Sequence, residues 1–244
     1  MTSTSSPPQP LLTFVLLGLT AVTGVIDATS YLGLGHVFTA NMTGNVALLG
    51  FAIASAQGLS VVRSGTALGA FLVGAVLGGR MATGMSAGPR YRWTGVAFGT
   101  EAALLFAGMA VAIGHGSSVS GEPVRLYLII VLTGLAMGVR NATVRKLGVP
   151  DLTTTVLTLT LAALAADSTL AGGSNAGSSR RIASVAATIG GAAIGTWLLR
   201  DSLMLPLAIC GAISGVCALA AYFGVAGRGE APLPQGPTEA DQTG

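Results

Sequence analysis

Three ionisable residues lie inside or at the end of otherwise apolar runs, and their chemistry frames every functional reading of this chain. Asp27 sits in the run 11–34, which holds no other acidic or basic residue. Glu101 falls inside the run that starts at Trp93, and Arg140 directly follows the run 124–139. An ionised side chain at the centre of a bilayer costs roughly 2.5–3.5 kcal/mol on insertion scales, so it is seldom there without a task. A carboxylate at Asp27 suits a cation, a proton or an amine; its structural alternatives are an ion pair or a position near the helix end. Arg140 is the natural partner, because it abuts Asn141, which holds in a second motif the place Asp27 holds in the first. A lone Glu101 would be a proton-exchanging group or would hydrogen-bond to a neighbouring helix.

A polar cluster follows Asp27: Thr39-Ala40-Asn41-Met42-Thr43-Gly44-Asn45. On a helix Asn41 and Asn45 share one face, as do Thr39 and Thr43. In the second half Thr154-Thr155-Val156-Leu157-Thr158 takes the corresponding place, with Thr154 and Thr158 on one face. Amides and hydroxyls can coordinate a cation or hydrogen-bond a polar solute, and they can equally join helices. The candidate substrate or ion ligands are therefore Asp27, Asn41, Thr43, Asn45, Glu101, Arg140, Asn141, Thr155 and Thr158. Asp27, Asn41 and Asn45 are expected to line one cavity, with Arg140 or Asn141 facing them.

The elements that must carry these residues follow from composition. The chain has 244 residues, of which 51% are hydrophobic and 9% charged, and a mean hydropathy of +0.73. Soluble domains carry about 25% charged residues, so this is an integral membrane protein. Its net charge of +3 is small and dispersed, which argues against nucleic acid as a partner. Membrane lipid and an unknown small solute or ion are the expected partners; the oligomeric state is open. Cys210 and Cys217 stand two helical turns apart, about 10 Å, too far for a disulfide, and are expected to be core thiols. His36 and His115 fall near segment ends. No metal-ligand spacing, nucleophile-and-base set or phosphate loop occurs, so neither enzyme nor cofactor is expected.

Eight apolar segments can be marked, at about 11–34, 38–57, 61–79, 93–114, 124–139, 152–167, 181–199 and 203–227. None alternates as a barrel strand does, so the expected fold is all-α, one polytopic domain over 11–227. Residues 1–10, without a basic residue, do not form the n-region of a signal peptide, and they and 228–244 read as disordered tails. Asp151 is a plausible N-cap for the sixth segment.

The segments form two halves, about 11–115 and 124–227. Gly24-Val-Ile-Asp-Ala-Thr29 matches Gly138-Val-Arg-Asn-Ala-Thr143, and the pairs Gly74/Gly78 and Gly95/Gly99 match Gly191/Gly195 and Gly211/Gly215. The offset drifts only from 114 (Asp27 to Asn141) to 117 (Gly74 to Gly191). Glycines four apart let helix backbones approach closely. If the second and sixth segments dip in and return, six spans remain and nine basic residues fall inside, with only Arg63, Arg125 and Arg200 outside. Eight full spans give a weaker seven-to-five split. The positive-inside rule favours six spans, which would make the halves inverted, a recurrent plan of secondary transporters.

The run Gly24-Val-Ile-Asp-Ala-Thr-Ser-Tyr-Leu32, followed by Val37-Phe-Thr-Ala-Asn-Met-Thr-Gly-Asn45, resembles the signature of the YoaK-like family. The stretches Gly138–Arg145 and Asp151–Thr158 are similar to that family's second motif, with a departure at Leu159, where glycine is expected. The resemblance covers roughly residues 11–227. It implies a multi-pass protein of the bacterial inner membrane, built on one domain of unknown function. The residues themselves point to a small-solute or ion transporter, with a non-transporting membrane sensor or assembly protein as the alternative.

Overall fold

The computed structural model describes residues 10–85, 90–119, 121–147, 157–175 and 177–226. The expected tails, apart from Pro10, and the expected helix start at Asp151 lie outside the described residues. The described residues form eight α-helices: α1 Pro10–Gly33, α2 Met42–Ile53, α3 Val61–Gly84, α4 Arg90–Ala112, α5 Pro123–Leu147, α6 Leu157–Ala166, α7 Ser178–Leu199 and α8 Met204–Ala226. A short 3-10 turn, Thr169–Ala171, follows α6.

Local chemistry explains the helix ends. Asn41 caps α2 through a bond from the Gly44 N–H, and Ser60 caps α3 through a bond from the Arg63 N–H. Pro123 opens α5, where its missing N–H is harmless, and Arg145 and Lys146 close it against the negative end of the helix dipole. Within the helices, hydroxyls of Thr20, Thr29, Thr133 and Thr143 donate to carbonyls one turn back, which satisfies them without water.

Among the described residues, six helices are long and apolar enough to cross a membrane: α1, α3, α4, α5, α7 and α8. At 1.5 Å per residue α2 spans about 18 Å and α6 about 15 Å, against a hydrocarbon core of about 30 Å. Their 12 and 10 described residues are half a span, which fits six crossings.

The core of the bundle is a ring of α1, α8, α4 and α5. Helix α3 packs outside α5, α7 packs outside α1, and the short helices α2 and α6 lie on α3 and α7. Exchanging α1 with α5, α2 with α6, α3 with α7 and α4 with α8 leaves this set of packed helix pairs unchanged. The atoms repeat it. A methyl at Gly24 would strike the Thr188 carbonyl, and one at Gly138 would strike the Phe71 carbonyl. A methyl at Gly191 would strike the Ala21 carbonyl, and one at Gly74 the Leu135 carbonyl. Each crossing thus joins one half to the other through backbone contact that only glycine permits. Large apolar side chains on the outer faces, such as Leu72, Val76 and Leu77 of α3 and Ile182, Ile189 and Ile194 of α7, are exposed. In a bilayer these faces meet lipid.

The loops at one end, called the upper end below, converge. Gly33 packs against Leu203 and the Ser117 carbonyl, and the Leu203 N–H donates to the Gly116 carbonyl.

Candidate functional site

Two polar centres emerge. The first is near the upper end, about 9 Å below the top of α1, where Asp27 stands six residues before Gly33. Its Oδ1 accepts the N–H groups of Ala40 (3.3 Å) and Asn41 (3.0 Å). The chain reaches them by turning back at Gly35 and His36, both in the left-handed region (φ 81° and 60°). Tyr31 stacks on Phe38 below that turn, with ring centroids 5.0 Å apart. Asn45 is buried; its Oδ1 accepts the Phe38 N–H (3.4 Å) and its Nδ2 donates to the Ser64 carbonyl (3.0 Å). Asp27, Asn41 and Asn45 therefore come together as expected. Their polar atoms are turned on backbone groups, so that they pin the start of the half-length helix α2 to α1 and α3. Thr43 is exposed on α2, and the Thr39 hydroxyl is buried with no hydrogen-bond partner among the described residues.

The second centre lies at mid-depth. Arg140 and Glu101 are both fully buried and form an ion pair. Glu101 Oε1 accepts Arg140 Nε (2.9 Å), Arg140 Nη2 and the Ser214 hydroxyl (2.6 Å). Arg140 Nη1 donates to the Leu19 carbonyl (2.8 Å) and to Thr23 Oγ1 (2.9 Å). Glu101 Oε2, equally buried, has no partner among the described residues. Thr23 lies ten residues below the top of α1 and Glu101 eleven below the top of α4, about 15 and 16 Å, which is the middle of a core of about 30 Å. The pair joins all four helices of the ring: α1 (Leu19, Thr23), α4 (Glu101), α5 (Arg140) and α8 (Ser214).

The expected Asp27–Arg140 pair is not formed, and Glu101 is not alone; depth explains both. Arg140 is seven residues from the lower end of α5, about 10 Å, whereas Asp27 is about 9 Å from the upper end of α1. The two backbone positions thus lie on opposite sides of mid-depth, and the guanidinium reaches only to Thr23, one turn below Asp27. A helical side chain leans toward its own N-terminus, which here carries the Arg140 guanidinium up to the level of Glu101. Asn141 likewise stays low, with its Nδ2 bonded to the Met137 carbonyl (2.8 Å). Thr158 is exposed on α6, and Thr155 lies outside the described residues.

Ser214 and Thr23 are additions that sequence reasoning missed. Nothing distinguishes either from a hydroxyl bonded within its own helix, and the repeat sets Ser214 opposite Phe98, so symmetry gives no pointer. Cys210 and Cys217 are buried free thiols beside the ring, as expected.

Residues 15–220 match the family described as "Protein of unknown function (DUF1275)". The chain belongs to the DUF1275 family. A DUF1275-type relative, the UPF0700 transmembrane protein YoaK of Bacillus subtilis (strain 168), is 37% identical over 155 residues, which is 62% of this chain and 64% of that protein. The match thus spans a little under two thirds of the relative's length. No solved structure matches this DUF1275 chain. The family match, the relative and the six long apolar helices together make it a multi-pass membrane protein.

Proposed function

We propose that this protein is a small-solute or ion transporter whose site lies at the interface of two duplicated, inverted halves in the bacterial inner membrane. The observation that carries the reading is the Glu101–Arg140 pair: two charges, one from each half, held dry at mid-depth by the four helices that form the ring. Replacing a buried pair by apolar residues is often neutral or stabilising, so stability alone is a poor reason to keep one. Intramembrane ion pairs commonly mark a pathway. Two half-length helices at corresponding places, each resting on the second long helix of its half, fit the discontinuous helices of transporters. In this reading Asp27, Asn41, Thr43 and Asn45 form the upper approach to the site. Asn141 and Thr158 belong to the lower one.

A second reading, a non-transporting sensor or assembly protein, is favoured by the Asp27 cluster, whose hydrogen bonds go to backbone groups as those of a structural latch do. Proteoliposomes separate the two. A panel of radiolabelled solutes should include one that accumulates above protein-free vesicles, and Glu101→Gln/Arg140→Met should abolish that uptake at normal abundance. Uptake unchanged in the double variant would make the pair structural. Absence of uptake across the panel would favour the sensor or assembly role.

A further inference from the structure

The geometry of the ion pair is lopsided. A relaxed arginine–carboxylate pair places one N–H on each oxygen, as a fork on a fork. Here one oxygen, Oε1 of Glu101, takes Arg140 Nε, Arg140 Nη2 and Ser214, and the other takes nothing although it is just as buried. A carboxylic acid needs one oxygen to carry the proton and the other to remain an acceptor. Glu101 is already arranged in that way: a proton on Oε2 would break none of its three hydrogen bonds. Arg140 complements this, because four of its five N–H groups are engaged and the fifth, on Nη2, has no partner among the described residues.

We infer that this pair is a loading site for one proton and one small monovalent oxyanion, of carboxylate or nitrate size, taken up together. The inference rests on the transport reading and names its substrate class. The proton goes from water to Glu101 Oε2 and neutralises that side chain. The anion goes first to the unengaged Nη2 N–H of Arg140; once Glu101 is neutral, Arg140 Nε and the Ser214 hydroxyl can exchange their bonds to Oε1 for bonds to the anion. The centre carries one negative and one positive charge when empty, and a neutral acid, a cation and an anion when loaded. Its net charge is zero in both states, as a dry position at mid-depth requires. A cation entering beside Arg140 would leave the site positive, and a divalent anion would leave it negative, so both are rejected on charge.

The surroundings hold no other acid at that depth among the described residues. Helix α8 presents Ser214, Cys210 and Cys217, the thiols being within electrostatic reach of the pair. Helix α1 presents Thr23 and, one turn higher, Asp27, whose carboxylate is already engaged with Ala40 and Asn41. The charged residues of α3, Arg63 and Arg80, stand toward its two ends, as do Arg125, Arg145 and Lys146 on α5.

The test uses the full chain in detergent, with nitrate and methanesulfonate as probes because both stay ionised. Infrared difference spectra on adding nitrate should show a protonated-carboxyl band that is absent in Glu101→Gln. Nitrate affinity in the wild type should rise up to about tenfold per unit fall in pH, because one proton accompanies each anion. Glu101→Gln imitates the protonated acid, so it should bind nitrate as the wild type does at low pH and lose the dependence. Should that variant fail to fold, the wild-type spectrum and pH dependence decide by themselves. Binding of neither probe, or binding with no carboxyl band and no pH dependence, overturns the inference. A carboxyl band without nitrate flux in proteoliposomes would remove transport and keep the site. Uptake of a neutral or cationic solute without anion binding would keep transport and remove the site.

Discussion

Removing one member of the Glu101–Arg140 pair leaves the other charged, buried and alone. Arg140→Gln is expected to lower stability by about 3–5 kcal/mol, and Glu101→Gln/Arg140→Met to recover most of that loss. Thermal unfolding in detergent, read against abundance in the membrane, checks both; additive losses in the double variant would mean that the two side chains do not act as a pair. Asp27 behaves differently because its partners are N–H groups. Asp27→Asn retains an oxygen that accepts both, so the protein should stay folded at near-normal abundance. Asp27→Ala strands the Ala40 and Asn41 N–H groups and should cost about 1–3 kcal/mol for each one left buried and unsatisfied. Proteolysis at 34–41 in the two variants measures the difference; equal cleavage would show that the carboxylate does not hold that segment. Which charged residues lie within the long helices was legible from the sequence, since so few interrupt the apolar runs. Which of them pair was not. Pairing depends on depth, and depth depends on where each helix begins relative to its neighbours.

At the scale of elements, the glycines carry the sharpest expectation. Gly24→Ala and Gly138→Ala each push a methyl into a facing backbone carbonyl, which has no rotamer to give, so both should lose folded protein, and to a similar degree. Gly65→Ala and Gly69→Ala on α3 meet open space and should be neutral or slightly stabilising, since alanine is the better helix former. Thermal melts of the four variants decide it: loss at Gly65 or Gly69 equal to that at Gly24 would remove the packing argument. The upper loop offers a pH test. His115 Nε2 lies 2.7 Å from Glu122 Oε1, and Arg125 Nε 2.9 Å from its Oε2. The hydrogen bond with His115 is the main reason that Glu122 titrates below the ordinary 4.5. A lowered acid contributes order above its unfolded value and loses it as pH falls through the lower folded one. Amide exchange at 113–119, corrected for intrinsic rate, should rise only below about 4.5, and Glu122→Gln should flatten the change. Most helix ends were legible to within about four residues, because apolar runs and caps are local signals; α3 and α5 run on to Gly84 and Leu147, past the expected 79 and 139, because a helix can continue beyond its apolar run. The short length of α2 and α6 was legible too, from the polar residues at their starts.

For the whole molecule, the nine-to-three basic asymmetry sets an orientation. In a background lacking Cys210 and Cys217, Gln57→Cys should label from the periplasmic side and Met85→Cys only after the membrane is opened. The reverse pattern would invert the molecule, and labelling of both from one side would break the six-span reading. The ordered offsets hinted at two matched halves. They could not reveal that each half leans on the other, because a repeat in sequence carries no information about which copy a helix touches.

That exchange has a consequence for how the chain is made. Gly24 meets Thr188, so α1 waits for a segment 164 residues downstream before it finds its main neighbour. At about 5–20 residues per second, a helix inserted first stays unpartnered for roughly 8–30 s. Glu101 likewise enters the membrane 39 residues ahead of the arginine that neutralises it. Neither half is a unit that can be finished and set aside; a chain stopped after α4 would hold an uncompensated acid and a glycine face with nothing to meet. Quality control by the membrane proteases should therefore read arrival of α8, which closes the ring around Glu101, as the moment at which this protein becomes safe to keep.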